Sequence, residues 1–436
     1  MFWLLRRALV DTTAFRLSRD FRRLTLGGVI ASLGGQAVMV ALPYQVYELS
    51  HSATLVGVIA LFELGPIITV SLLGGVIADR MDRRPLMILA QCGMMAVAAL
   101  LFLCTSSGTP SVVLILLLAG LLAGFSSLSS VASSAILPGL LGPELMRSGI
   151  AFSYGISQAA GIVGPGLGGL LIATSGLRTV YLLDALSGLA VIWALARIAA
   201  QPPKHVEQRP PVREALAEGL RFVASSRALA GSFLIDINAM AFGMPRALFV
   251  VLSLSVYHAG AGGAGLLYAA IAIGGALSVL SSGWIQHVNR LGRVCICCVA
   301  FWGLTIGAAG LVHSIWPAAV LLATAGWADG ISAVCRGTIS QSLTPDRLRG
   351  RMGAVFNLVV SSGPRLGDLE SGLVAGLAGP LDSVMIGGAG CLIGVVLTVL
   401  AFPELDAYRA DEAMELVRAE NASTSGDPAH STSYSV

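Results

Sequence analysis

Gly75-Val76-Ile77-Ala78-Asp79-Arg80-Met81-Asp82-Arg83-Arg84 is a short, intensely charged joint between two long apolar stretches. A blurred copy stands half a chain later. There Gly283-Trp284-Ile285-Gln286-His287 runs into Arg290, Gly292 and Arg293, again between apolar stretches. The halves match elsewhere. Gly164-Pro165-Gly166-Leu167-Gly168-Gly169 in one has Gly363-Pro364-Arg365-Leu366-Gly367 in the other, and each follows a polar loop. Such a duplication reads as two related membrane bundles joined in one chain.

Composition supports the bilayer as solvent. The 436 residues are 55% hydrophobic and only 12% charged, against about 25% charged in a soluble domain. A spanning helix needs ~20 apolar residues. Twelve segments qualify, at 24–48, 54–78, 86–105, 111–135, 147–174, 178–199, 228–255, 261–286, 293–312, 315–340, 351–376 and 380–402. Their apolar runs are continuous rather than alternating, which indicates helices and not a barrel. The predicted fold is an all-α membrane protein of twelve transmembrane helices in two pseudo-symmetric six-helix bundles.

Charge distribution predicts the orientation. Of the 27 Lys and Arg, 23 fall at one set of helix ends. By the positive-inside rule both termini are expected in the cytoplasm, and the protein in the plasma (inner) membrane. The expected parts are a cytoplasmic segment 1–23, a six-helix bundle 24–199, a linker 200–227, a second bundle 228–402 and a tail 403–436 whose end is disordered. In the linker, Val212, Leu216, Leu220 and Val223 recur at helical spacing, which predicts an amphipathic helix on the membrane surface. The seven cysteines lack the paired spacing of a zinc site and read as buried free thiols.

Charges inside spans cost about 2.5–3.5 kcal/mol each on insertion scales. The candidates for proton or substrate binding are Glu63, Asp236, Arg246, Asp329, Arg336, Arg365 and Asp368. Asp329 and Arg336 are two turns apart on one helix face, and Arg365 can reach Asp368 at i,i+3. Asp236 and Arg246 are ten residues apart, ~15 Å along a helix, and cannot pair directly. Asp368 and Glu370 cannot both face one cavity. Static salt bridges between helices are the competing reading for each acid. Asp184 lies toward the far end of its span, where water or Arg178 are its expected contacts. Gly164-Pro165 is expected to bend or loosen its helix, with Gly168 and Gly169 packing closely against the other half.

The chain resembles the major facilitator superfamily over essentially its whole length. The first joint matches that family's Gly-x-x-x-Asp-Arg-x-x-Arg-Arg signature. Gly164, Pro165, Gly168 and Gly169 match the end of the exporters' Gly-Pro-x-x-Gly-Gly motif, whose earlier glycines are Ala151 and Ala160 here. Within the superfamily the pattern is most similar to the enterobactin (siderophore) exporters and related drug-efflux proteins. The resemblance implies a cytoplasmic gate at Gly75, Asp79, Arg80, Arg83 and Arg84. It also implies a proton-coupled exporter of a small or medium amphipathic molecule (siderophore or drug), acting by alternating access as a monomer. A nutrient importer on the same fold and a non-transporting membrane sensor are the alternatives. With no Gly-x-x-x-x-Gly-Lys loop and no catalytic cluster, no enzyme activity, cofactor, metal or nucleic-acid partner is expected.

Overall fold

The computed structural model describes residues 12–108, 110–142, 144–198, 212–345 and 348–409. The first eleven residues, the start of the linker and the tail beyond residue 409, including its expected disordered end, lie outside it. A short helix α1 (Thr13–Leu17) leads into six long helices: α2 (Arg19–Ser50), α3 (Ala53–Arg80), α4 (Arg83–Ser106), α5 (Val112–Leu140), α6 (Met146–Ser175) and α7 (Leu177–Ala196). The linker helix α8 (Val212–Ser225) follows. The second half comprises α9 (Arg227–Phe242), α10 (Leu248–Val251), α11 (Gly260–Ser281), α12 (Leu291–Ala309), α13 (Ile315–Leu343), α14 (Arg349–Ala378) and α15 (Pro380–Ala401), closed by α16 (Pro403–Ala407).

Packing repeats between halves. In the first, α2 packs on α6 and α7, α3 on α5, and α4 on α5 and α7. In the second, α9 packs on α14 and α15, α11 on α13, and α12 on α13 and α15. Each helix of one half thus has its counterpart in the other. The halves meet chiefly through two helix pairs, α3 with α14 and α6 with α11, with a smaller contact of α10 on α2 and α3.

Ten helices among the described residues are long and apolar enough to cross a bilayer. The remaining two spans carry the functional irregularities. The eleventh, α14, is 30 residues long, but Arg365, Asp368 and Glu370 make its middle polar. The seventh is not the single run 228–255 expected from hydropathy. It stops at Phe242, turns through Gly243-Met244-Pro245, and resumes as α10 followed by a π-helical turn, Leu252–Val256. The helix ends with Gly243 at its C-cap, and Pro245 two residues on has no N–H to give an α-helical ladder.

The linker helix lies against α14. Leu216, Phe222 and Val223 pack on Met352, Val355 and Phe356, and Glu218 pairs with Arg351. Its buried stripe runs through Gly219, where an added Cβ would meet Val355 Cγ2 at 2.7 Å. Leu220, read from the spacing as part of the apolar stripe, is 50% exposed and faces away from this contact. The cysteines are free but not uniformly buried: Cys92 and Cys297 are exposed, whereas Cys295, Cys335 and Cys391 are buried.

Candidate functional site

A cavity of about 630 Å³ lies mainly in the first half and reaches the second at Arg246, Ala247, Tyr268, Arg365 and Asp368. On α2 its wall runs from Gly28 to Pro43, and on α5 from Ala119 to Ser133. It therefore extends toward the end of the bundle that carries α8 and α16. At the opposite, far end the two halves come into close contact. There Gly57 of α3 meets Gly372 of α14, and an added Cβ at Gly57 would lie 2.8 Å from both Asp368 O and Gly372 Cα. Gly169 of α6 meets α11 in the same way, 2.5 Å from Ala261 O. The resumed seventh span, with Leu248 and Val250 wholly buried, contacts α2, α3 and α14 and fills the space between the halves.

Four charges form the join between halves. Glu63 of α3 pairs with Arg365 of α14 at 2.8 Å. Arg365 is 3.8 Å from Asp368, which is 3.9 Å from Arg246. The break in the seventh span explains why Asp368 is there. It frees backbone groups in a place without bulk water, and these need partners. Asp368 Oδ1 accepts the Ala247 N–H at 2.9 Å, and the Tyr268 hydroxyl donates to Arg246 O at 2.9 Å. Two guanidinium groups thus meet two carboxylates, one pair spanning the halves and one bracing the broken helix.

The other three candidates lie apart from this cavity wall. Arg336 of α13 pairs with Asp236 of α9 at 2.9 Å and with Asp329 at 3.4 Å. Its guanidinium also donates to Ser332 Oγ at 2.8 Å. This triad ties two helices within the second half. Asp329 and Arg336 meet along their own helix, as two-turn spacing allows, and Asp236 enters from across the bundle.

Asp184 of α7 lines the cavity and is buried, rather than facing far-side water or Arg178. Sequence reasoning passed over the neutral wall of α5, where Ser126, Ser129, Ser130 and Ser133 face the cavity. Ser126, Ser130 and Ser133 recur at i, i+4 and i+7, a pattern visible in the sequence as one polar helix face.

At the charged joint, Gly75, Asp79 and Arg80 lie on the last turns of α3, and the side chains of Asp79 and Arg80 are outside what the structure describes. Asp82 caps α4 by accepting the Arg84 N–H at 2.9 Å. The Arg84 side chain donates to Ala196 O at 3.1 Å, at the end of α7 in the same half. In α6, Pro165 sits inside a continuous helix. Gly164 and Gly168 pack against Gln36 and Ala37 of α2, also in the same half. Of that motif's glycines, Gly169 makes the approach to the other half.

A family model described as "Transmembrane secretion effector" matches residues 13–426. The chain belongs to the transmembrane secretion effector family. It is a transporter of the major facilitator type and not an enzyme. It is 30% identical over 413 residues to the enterobactin exporter EntS of Citrobacter koseri, covering 93% of this chain and 96% of that one. It is also 30% identical over 412 residues to the enterobactin exporter of Shigella boydii serotype 4. Solved structures share the fold. A bacterial homologue of the human lysosomal transporter Spinster, inward-facing and unoccupied, aligns at TM-score 0.67 with 15% identity, over 91% of this chain and 97% of that one. An inward-facing bacterial homologue of the iron transporter ferroportin aligns at 0.66 with 17% identity, over 89% and 98%.

Proposed function

We propose that this secretion effector is a proton-coupled exporter of small or medium amphipathic molecules. Both termini are cytoplasmic, and the conformation described above is the one that takes cargo from the cytoplasm. The observation that carries this reading is the Glu63–Arg365 ion pair. It joins the two halves beside a cavity at whose far end the helices approach closely. A pair that crosses the moving interface must break when the far end opens, so its partners are exposed in one conformation and joined in the other.

The coupling follows from that geometry. With the far end open, Glu63 is released from Arg365 and takes a proton from the outer solution. As the halves close, Arg365 returns, and the proton leaves Glu63 into a cavity that now faces the cytoplasm. Asp368 stays committed to Ala247 and Arg246, and Asp236 and Asp329 remain inside the Arg336 triad. In this scheme those three acids brace the second half. The Asp79–Arg84 joint serves as the cytoplasmic lock of the outward-open state, with Arg84 parked on Ala196 while that lock is open. Both halves and the cavity belong to one chain, which supports a monomeric working unit. The named cargo of the relatives makes a catecholate siderophore the first compound to test.

The test uses everted membrane vesicles energised by a proton gradient. Uptake of an iron-free catecholate siderophore is followed beside a panel of lipophilic dyes. The expected result is accumulation that collapses with a protonophore and is lost in Glu63→Gln. Uptake indifferent to the gradient, or none with correctly inserted protein, overturns the reading.

A further inference from the structure

One carboxylate in the cavity has no counter-charge. Asp184 is 7% exposed and faces the cavity from the middle of α7. Glu63 and Asp368 each meet a guanidinium, but no ion pair or hydrogen bond reaches the Asp184 carboxylate among the described residues. The nearest hydroxyls on its own helix are engaged elsewhere. Ser187 Oγ donates to the Asp184 backbone oxygen at 2.7 Å. The Tyr181 hydroxyl donates to Gln45 Oε1 at 2.7 Å, and Gln45 is bound in turn to Thr105.

The helix opposite leaves room for this acid and holds it in place. An added Cβ at Gly34 of α2 would lie 2.7 Å from Asp184 Oδ1. The carboxylate is thus backed by the α2 main chain on one side and open to the cavity on the other. A buried carboxylate without a partner is costly. The polar residues that share the first-half wall with it, apart from the paired Glu63, are neutral: they include Gln36, Gln91 and the serine face of α5. Met39, Met87 and Met94 supply a deformable apolar surface beside them. A divalent metal ion would require several oxygen ligands with more than one free acid among them, and the other acids of the lining, Glu63 and Asp368, are already paired with Arg365 and Arg246.

We propose that Asp184 is the cation-recognition point of the cavity, pairing with the single positive charge of a bulky, lipophilic cargo. The methionines and serines accommodate the body of the cargo, and Asp184 selects its charge. The volume, about 630 Å³, suits a drug-sized molecule. This inference rests on the reading of the cavity as a cargo site, and it favours organic cations over neutral or anionic compounds of equal size.

The experiment measures equilibrium binding to the full-length protein in lipid nanodiscs, without a gradient, so it is independent of transport direction and coupling. The probes are rhodamine 6G, a lipophilic cation, and Nile red, an uncharged dye, each corrected with protein-free nanodiscs. The variants are Asp184→Asn and Asp184→Glu. Loss of a charge-assisted contact is expected to weaken rhodamine 6G binding about tenfold in Asp184→Asn. Nile red binding should be unchanged in that variant, and Asp184→Glu should restore most of the cation affinity. Unchanged rhodamine 6G affinity in Asp184→Asn overturns the proposal, as does a parallel loss of both dyes or no cation binding by the wild type. Where Nile red binding is retained, the cavity still takes cargo and only the role of Asp184 has failed.

Discussion

Arg336 shows how much a single side chain can hold in this molecule. It sits between Asp236 and Asp329, and all three come from spans of the second half. Arg336→Met would leave the buried Asp236 and the part-buried Asp329 without their cation, at a cost of about 3–5 kcal/mol. The expected outcome is a large fall in the thermal unfolding midpoint of the solubilised protein. Adding Asp236→Asn to Arg336→Met should recover much of it, because one uncompensated charge is then gone. The sequence disclosed only half of this triad. Asp329 and Arg336 share a helix, so their spacing reveals their common face. Asp236 lies a hundred positions away, and no local pattern announces which helix it meets. The same holds at the cavity. Arg365 and Asp368 are readable as an i,i+3 pair, but the pairing of Arg365 with Glu63 depends on which spans the two halves bring together.

At the scale of elements, hydropathy placed the spans because lipid demands long apolar helices. It was least informative where function breaks that rule. The seventh span departs at Gly243-Met244-Pro245, and the proline was a visible signal of the break. The use of Asp368 to cap it was not visible, since the donor and acceptor belong to different spans. The helix pair α3–α14 carries a prediction of its own. At Gly372 an added Cβ would lie 2.5 Å from Gly57 Cα, a backbone atom that cannot move aside. Gly372→Leu should therefore prevent far-end closure and hold the protein open on that side. Increased alkylation of a single cysteine introduced at Val56 by a membrane-impermeant maleimide from outside would report it. The helix α16 carries another. Arg227 pairs with Glu404 at 2.5 Å, and Arg293 binds Asp406 through two hydrogen bonds, at 2.8 and 2.7 Å. The Arg293 hydrogen bonds hold the Asp406 carboxyl below its usual value. The Glu404 carboxyl is also lowered, first by a backbone hydrogen bond and then by Arg227. A lowered carboxyl contributes stability above its unfolded pKa, about 4, and loses it as pH falls through the folded value. Docking of α16 should be constant from pH 5 to 8 on this account, within about the range set by ordinary carboxylates, and should weaken only in stronger acid. Hydrogen exchange of residues 403–409 at neutral and acid pH measures this, with Asp406→Asn expected to exchange faster at neutral pH and the difference to narrow in strong acid.

For the whole molecule, the two halves repeat one packing and meet chiefly along α3–α14 and α6–α11, and in the proposed cycle they are two bodies that rock about a shared cavity. In the proposed cycle the positive-inside pattern sets the direction, the glycine contacts mark the closed end, and the Glu63–Arg365 pair links closure to charge. The central claim is that the far end must open and close during each transport cycle. Thr54 and Gly376 face each other across that end: an added Cβ at Gly376 would lie 3.3 Å from Thr54 Cβ, near the separation found in disulfides. The most direct measurement joins Thr54→Cys to Gly376→Cys in a background with the native cysteines replaced, and follows gradient-driven uptake into everted vesicles. The account predicts that oxidation locks the halves and abolishes uptake, and that a reductant restores it. Full uptake by the cross-linked protein would contradict it.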